Sequence, residues 1–366
     1  CDAFAHRYSW VRLRNSRVHA TCITALAYLL IPLVRGWQGL NQIPSDPGYN
    51  WIEDRVRGGW SILTLDPYLH VDSPLITSMI SLFPREYHGI VGTLATHVIW
   101  MLSALVIFEV LRRRNFGAAA SFVGGLLLVS TPWAAQSAIG NYGNVRWPIL
   151  VAAAVFIASE VAYKRPRALP MTLASVAVTL SNPVHPLLLA PLIAGWWYLE
   201  AEHRRSLLIA SSPLLLGLLI NLLNADAGGH DKKLKIFWEG AGLFWVSGQF
   251  LPATVALAGL LLSAKHLRAR NERQFFAVNL FAMVLLTAAA SYQLGGIADR
   301  YYIAPAALAA IGTLVWLTDL RNRSAKLGKV IAVVLAVVLA VPTARWFFVF
   351  PYLRTATNWS QQVEKA

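Results

Sequence analysis

The sequence contains few charged residues. Asp, Glu, Lys and Arg make up 14% of its 366 residues, whereas a soluble globular protein carries about 25%. Hydrophobic residues make up 56% of the chain, and the mean hydropathy is +0.50. Because so few polar side chains cannot cover a water-facing surface of normal size, we expect part of the solvent to be lipid. The alternative is a soluble protein with many core helices, which this composition disfavours.

Cysteine is nearly absent. The two cysteines, Cys1 and Cys22, form no disulfide framework and no CxxC pattern typical of zinc sites. Because the chain begins at Cys1 without Met, we expect a trimmed or incomplete N-terminus. The Arg-rich stretch that follows disfavours an exported, lipidated Cys1.

Motifs of soluble nucleotide and hydrolase chemistry are also absent. The sequence has no P-loop, no GxSxG elbow, no HExxH and no Rossmann fingerprint in a strand context. We therefore do not expect soluble nucleotides as substrates. Ionisable residues inside the apolar runs are scarce, and Glu109 and Glu160 fall near predicted helix ends, so no ion-coupling relay of the kind found in transporters is visible.

Long apolar runs recur along the whole chain, close to the ~20 residues that a helix needs to cross a bilayer. They predict an all-α fold, a polytopic membrane helix bundle of about eleven transmembrane helices. This bundle would form a single domain over 1–345, followed by a short tail at 346–366. The predicted spans are 19–35, 89–110, 117–135, 147–163, 168–182, 184–200, 206–224, 250–265, 274–291, 301–319 and 329–345.

Two of these spans, 168–182 and 184–200, are the weakest. Ser181-Asn182-Pro183 breaks the helix between them. The two segments therefore either cross the membrane separately or form a broken pair that turns back partway. Counting them as two spans keeps the later basic clusters on the same side as the earlier ones. At the same turn, His185 is interpreted as a hydrogen-bonded polar residue rather than a ligand.

The basic residues fall on one side of this alternating arrangement. With the N-terminus in the cytoplasm, the cytoplasmic side receives 20 of the 32 Lys and Arg but only 7 of the 18 acidic residues. Such a bias is typical of polytopic membrane proteins. The net charge of +14 is thus explained by topology, and we expect no nucleic acid partner. The C-terminus then lies on the extracytoplasmic side.

The longest predicted extracytoplasmic segment, 36–88, follows the first span. Long links of this kind are often functional. Within it, an interfacial helix is predicted over 73–84, because its apolar residues fall on one helical face. These residues are Leu75, Ile76, Met79, Ile80 and Phe83.

Acidic residues in this loop are the first candidates for chemistry. The adjacent carboxylates of Glu53 and Asp54 are suited to a general base or to a divalent cation; the alternative is a solvated pair neutralised by nearby arginines. Downstream, Asp66, Tyr68 and His70 combine an acid, a ring and an imidazole just before the predicted interfacial helix. The imidazole is suited to positioning a hydroxyl or a phosphate oxygen, although helix capping explains the neighbouring Asp72 equally simply.

Two further polar segments stand at predicted extracytoplasmic helix starts. In the first, Asn141 and Asn144 are suited to contacting sugar hydroxyls, and Arg146 to contacting a phosphate; the alternative is that Asn144 caps the helix and Arg146 reaches the lipid headgroups. In the second, Arg300 is suited to bidentate phosphate binding, next to Tyr301. The alternative there is a surface ion pair with interfacial tyrosines.

Taken in order, the acidic pair and the segments DPYLHV (66–71), GNYGNVRW (140–147) and DRYYIAP (299–305) resemble the polytopic glycosyltransferases of the GT-C class, especially poorly characterised bacterial members. Each segment is short, but the four agree with that family in order and topological side, and they span most of the chain. Two departures are Pro67, where a glycine is usual, and Gln136, where an acid is common.

The resemblance implies a polyprenyl-phosphate sugar donor, a glycan or lipid-linked acceptor, and a multi-pass protein of the bacterial cytoplasmic membrane. It implies that Asp54 or Glu53 deprotonates the acceptor hydroxyl, that Arg300 holds the donor phosphate, and that His70 and Arg146 line the same cavity. No metal ligand is assigned, and a divalent cation, Mg²⁺ or Mn²⁺, stays an open option. The alternative functions are a transporter or flippase of a lipid-linked substrate and a non-catalytic membrane scaffold.

Overall fold

The computed structural model describes residues 19–30, 42–44, 71–130, 145–223, 250–267, 271–293, 303–323, 326 and 356–358. These ranges contain eleven α-helices and one antiparallel pair of short strands, β1 (Gln42–Pro44) and β2 (Ala356–Asn358). The helices are α1 (His19–Leu30), α2 (Asp72–Ile80), α3 (His88–Arg113), α4 (Ala118–Val129), α5 (Arg146–Ala162), α6 (Ala168–Thr179), α7 (Leu189–Tyr198), α8 (Ala201–Leu223), α9 (Phe250–Leu267), α10 (Glu272–Gln293) and α11 (Ile303–Arg323). The predicted all-α class is confirmed for this part of the chain.

Most predicted spans have a helix at the same place. Helices α3, α5, α9, α10 and α11 lie within a few residues of the predicted bounds, and α8 begins five residues earlier than expected, at Ala201. Helix α4 ends at Val129, before the predicted end at 135. The predicted last span, 329–345, lies outside the described residues.

The segment predicted as an interfacial helix over 73–84 forms α2, which is shorter and ends at Ile80. Pro84 restricts the residue before it and so disfavours continuation of the helix. The apolar residues divide between two environments: Ile76 and Ile80 are buried, whereas Leu75 and Met79 are exposed. The apolar face predicted from the sequence is therefore packed along one side and exposed along the other.

Two helices are long and apolar enough to cross a bilayer, judged by length and hydropathy alone: Arg85–Arg113, which includes a short 3-10 helix before α3, and Ala201–Leu223. Five further apolar helices are shorter in their described parts. A core helix of a soluble protein passes the same test, but it is then mostly buried, whereas only 28% of the apolar window of α8 is buried. The eleven-span bundle stays a prediction.

Helix α3 carries a continuous row of exposed apolar side chains. Ile90, Leu94, Val98, Leu102 and Val106 follow one another at four-residue intervals, and each is between 38% and 51% exposed. At 1.5 Å per residue the row is about 24 Å long. An apolar strip of this length is typical of a surface that contacts lipid or another protein.

Helix α5 is the centre of the described bundle. Fourteen of its seventeen residues are buried, and it contacts α3, α6, α7, α10 and α11. Small residues allow this density: Ala153, Ala154 and Ala158 are all buried on it. A helix that is apolar on all sides and surrounded by other helices positions the groups at both of its ends.

Helix α8 continues through a proline. Pro213 has no N–H to donate to the Ile209 carbonyl, which would leave that carbonyl unsatisfied. The Ser212 hydroxyl donates to this oxygen at 2.8 Å. A serine hydroxyl thus replaces the missing backbone hydrogen bond, as is common in membrane-spanning helices.

Candidate functional site

Charged side chains from several helix ends meet at one end of the bundle, called the basic end below. The Glu160 carboxylate at the end of α5 accepts from Arg114 Nη2 at 2.8 Å and from Arg167 Nε at 2.8 Å. Arg114 follows α3, and Arg167 precedes α6. Arg114 also donates from Nε to the Ser159 hydroxyl at 2.9 Å. One buried carboxylate therefore joins the ends of three helices.

Further contacts bring other helix ends to the basic end. Arg273 near the start of α10 donates to the Asn115 carbonyl at 3.2 Å. The Tyr198 ring at the end of α7 stacks on Phe275 with ring centroids 3.9 Å apart, and Lys164 Nζ lies 5.4 Å from the centroid of the same ring. Helix α6 therefore begins at the basic end and α7 ends there. The turn between the two helices lies at the opposite end of the bundle.

That turn, residues 180–185, is polar and buried. Asn182 is fully buried. Its side-chain amide donates to the Arg146 carbonyl at 3.3 Å, and its side-chain oxygen accepts from the Val184 N–H at 3.0 Å. The 180–185 turn thus holds the first residue of α5, and both lie at the end of the bundle away from the basic end.

Val71 contacts the same turn. Val71, the last residue of the DPYLHV segment, donates its N–H to the Leu180 carbonyl at 2.6 Å. Val71 directly precedes α2, and Arg146 lies near the end of the GNYGNVRW segment. Val71 and Arg146, which are 75 positions apart in the sequence, therefore both contact one buried turn.

His185 ties the turn to α8. Its Nδ1 lies 2.9 Å from the Asn182 carbonyl oxygen, and its Nε2 lies 3.2 Å from the Leu214 carbonyl oxygen. Both neighbours are acceptors, so a neutral imidazole donates to only one of them. The expectation that His185 is a hydrogen-bonded polar residue agrees with these contacts.

Arg146 is the one predicted site residue that the structure describes; it is the first residue of α5 and is half-buried. The other predicted site residues lie outside the described residues: Glu53, Asp54, Asp66, Tyr68, His70, Asn141, Asn144, Arg300 and Tyr301. Helix α11 begins at Ile303, two residues after Tyr301. Near the other end of α11, Asp319 accepts a hydrogen bond from Gln274 of α10 at the basic end. The first residue of α11, Ile303, therefore lies toward the end of the bundle that contains the 180–185 turn.

Sequence reasoning missed Asn182 as part of the candidate site. It treated Ser181-Asn182-Pro183 only as a helix break. The available signal was an amide between two apolar segments, since a buried side-chain amide requires hydrogen-bond partners from other elements. The sequence does not indicate which backbone groups those partners are.

A metal site is not visible in the described part of the chain, where no three His, Cys, Asp or Glu side chains gather. The paired carboxylates considered for a divalent cation, Glu53 and Asp54, lie outside it.

The comparisons with known proteins leave the family open. No protein-family model matches the chain, and no curated protein matches it.

Proposed function

We propose that this protein is a membrane glycosyltransferase that transfers a sugar from a polyprenyl-phosphate donor to an acceptor on the extracytoplasmic face, either a cell-envelope glycan or a lipid-linked glycan. The observation that carries the proposal is the 180–185 turn. It binds the end of the DPYLHV segment through Val71 and the end of the Asn-rich segment through Arg146. Contacts of Val71 and Arg146, which belong to two of the four segments that resemble GT-C enzymes, with one turn support this proposal.

The exposed apolar surfaces support a place in the bacterial cytoplasmic membrane. The row along α3 and the exposed leucines of α8, among them Leu216 and Leu219, are suited to lipid. The basic end contains Arg112, Arg113 and Arg114 after one candidate span, and such clusters favour the cytoplasmic side. The 180–185 turn then faces the opposite leaflet, which is where a lipid-linked sugar donor is used.

The proposed chemistry is a displacement at the sugar carbon that bears the lipid phosphate. Asp54, or Glu53 beside it, accepts the proton of the acceptor hydroxyl as the new glycosidic bond forms, and the lipid phosphate leaves with the electrons of the broken bond. A guanidinium such as Arg300 stabilises the charge that develops on that phosphate, since electrostatic stabilisation is strong where water is excluded. His70 and Arg146 line the same pocket and orient the donor.

The decisive experiment is a transfer assay with the Asp54→Asn and Glu53→Gln variants. Membranes containing the protein are incubated with radiolabelled polyprenyl-phosphate hexoses and pentoses, and label in the glycan fraction is counted. Removing the general base is expected to lower the transfer rate about 10²- to 10⁴-fold in one of the two variants, while donor binding is retained. The control is Glu202→Gln, which neutralises an exposed acid near the basic end.

Other outcomes would favour other functions. Movement of intact donor across the bilayer without transfer would identify a flippase. Full transfer activity in both single variants and in the double variant would contradict the proposed base. If the wild-type protein transfers no sugar from any donor but is required by a separate envelope enzyme, the scaffold alternative holds.

A further inference from the structure

A groove opens between α3 and α5 at the basic end, away from the 180–185 turn. Its volume is 630 Å³, within the range of about 300 to 1,000 Å³ that is common for ligand pockets. The walls are apolar and include Leu102, Leu105 and Val106 of α3 and Phe156 of α5. The interior is therefore suited to a hydrocarbon chain.

Arginines surround the mouth of this groove. Arg113, Arg114, Arg165 and Arg167 line it together with Glu109 and Glu160, which leaves a net charge of +2. The Arg113 side chain is 63% exposed and that of Arg167 is 48% exposed. Both Glu160 oxygens already accept from arginines, so this carboxylate does not repel an incoming anion strongly. The mouth is thus suited to a phosphate.

The groove continues the exposed apolar row of α3. Leu102 and Val106 belong both to the groove wall and to that row, which runs on through Val98, Leu94 and Ile90. A chain entering from the side therefore meets an unbroken apolar path that ends at the arginines. This combination of one charged head position and one long apolar track matches the shape of a membrane lipid.

We propose that this groove binds an anionic glycerophospholipid from the leaflet at the basic end, with an acyl chain along α3 and the headgroup phosphate between Arg113, Arg165 and Arg167. The proposal rests on the membrane location proposed above but not on sugar transfer. Along α5, Glu160 and Arg146 are fourteen residues apart, or about 21 Å. The lipid site is therefore separate from the proposed donor site.

The arginines differ in what they offer the phosphate. Arg165 forms no ion pair among the described residues, and the residue is exposed. Arg167 uses Nε and Nη2 for Glu160, so the rest of its five N–H donors stay available in the described structure. Its guanidinium also lies 5.6 Å from the centroid of the Phe156 ring, which holds the charge above the groove wall.

The test measures thermal unfolding and lipid retention of the purified full chain in a neutral detergent. Phosphatidylglycerol is expected to raise the unfolding temperature and to stay bound in native mass spectra, whereas phosphatidylcholine with the same acyl chains binds at least tenfold more weakly. The Arg113→Gln/Arg165→Gln double variant is expected to weaken phosphatidylglycerol binding at least tenfold. A second variant, Val106→Trp, fills the groove without changing charge and should do the same.

The matched control is Arg205→Gln/Lys326→Gln, which removes two exposed cations that do not line the groove; it should keep wild-type affinity. If the control loses as much phosphatidylglycerol affinity as the Arg113→Gln/Arg165→Gln variant, the lipid is attracted by the overall positive charge and the proposed site is wrong. Unchanged binding in Val106→Trp or equal binding of phosphatidylcholine would also overturn it. If inorganic phosphate gives the same stabilisation as the lipid, the mouth is an anion site and the lipid proposal is wrong. Asp54→Asn should bind the lipid normally, so failure of the transferase proposal is distinguishable.

Discussion

Glu160 is the residue on which the basic end depends. Its side chain is only 4% exposed, and that of its partner Arg114 is 11% exposed. Burial lowers the pKa of the Arg114 guanidinium, and the nearby Glu160 carboxylate opposes this shift; the guanidinium stays charged at neutral pH. A charge buried in this way is stable only while its counter-charge is present.

Replacing Glu160 with Gln keeps the shape of the side chain but removes its charge. The buried Arg114 then loses its partner, so we expect the free energy of unfolding to fall by about 3 kcal/mol, the lower end of the range for breaking a buried pair. The lower end applies because Arg167 is half-exposed and Arg114 keeps the Ser159 hydroxyl. Chemical denaturation in detergent measures the change. Glu202→Gln, an exposed acid, serves as the control, and equal stability of the two variants would contradict the argument.

At the scale of elements, α6 and α7 are both shorter than the spans predicted for them and meet at the 180–185 turn. Helix α6 has twelve residues and α7 has ten, preceded by a four-residue 3-10 helix. Twelve residues of α-helix span about 18 Å, less than the ~30 Å hydrocarbon core. The turn at the far end of this short pair is packed against the start of α5 and against α8, through Asn182 and His185.

Gly217 of α8 permits this arrangement. A Cβ at this position would clash with the Thr179 side chain and would come within 2.9 Å of His185 Nε2. We expect Gly217→Ala to lower the free energy of unfolding by about 1 to 3 kcal/mol, as overpacking does, despite the higher helix propensity of alanine. The measurement is the denaturation midpoint. Leu216→Ala, on an exposed side of the same helix, should have little effect; a stabilised Gly217→Ala would show that α6 and α8 are not in close contact.

At the scale of the whole molecule, the bundle has two chemically different ends. Guanidiniums and carboxylates from several helices pair at the basic end. Fewer charged residues are described at the other end, among them Arg85, Glu86 and Arg146, and the 180–185 turn there holds a neutral amide and an imidazole. In a membrane, such asymmetry determines orientation because basic residues are retained in the cytoplasm. For the proposed membrane protein, this asymmetry predicts that the candidate site faces away from the cytoplasm.

Cysteine labelling of intact cells tests the orientation. In a background with Cys1→Ser and Cys22→Ser, we expect a membrane-impermeant maleimide to label Tyr142→Cys in the Asn-rich segment but not Lys326→Cys. After permeabilisation both should react, which is the control for accessibility. Labelling of Lys326→Cys alone in intact cells would reverse the topology and place the proposed chemistry in the cytoplasm.

Much of the helical layout could be predicted from the sequence. Apolar runs between charged clusters correctly located α3, α5, α9, α10 and α11, because a helix that avoids water must be apolar along its length. The end of α2 at Ile80 was less predictable, since its apolar residues divide between buried and exposed positions. The sequence predicted the candidate site only as separate segments. Of the site residues that it predicted, the structure describes Arg146.

By itself, the sequence determined which segments are helical and which helix ends are basic, since both depend on local composition. Only the tertiary structure decided what meets at each end: Asn182 with Arg146, Val71 with Leu180, and Glu160 with two arginines. Apart from the Glu160–Arg167 pair, which is seven positions apart, these contacts join residues far apart in the chain and depend on how the helices pack. Local composition does not specify that packing: an isolated polar residue such as Asn182 indicates that hydrogen-bond partners are needed, but not which groups they are.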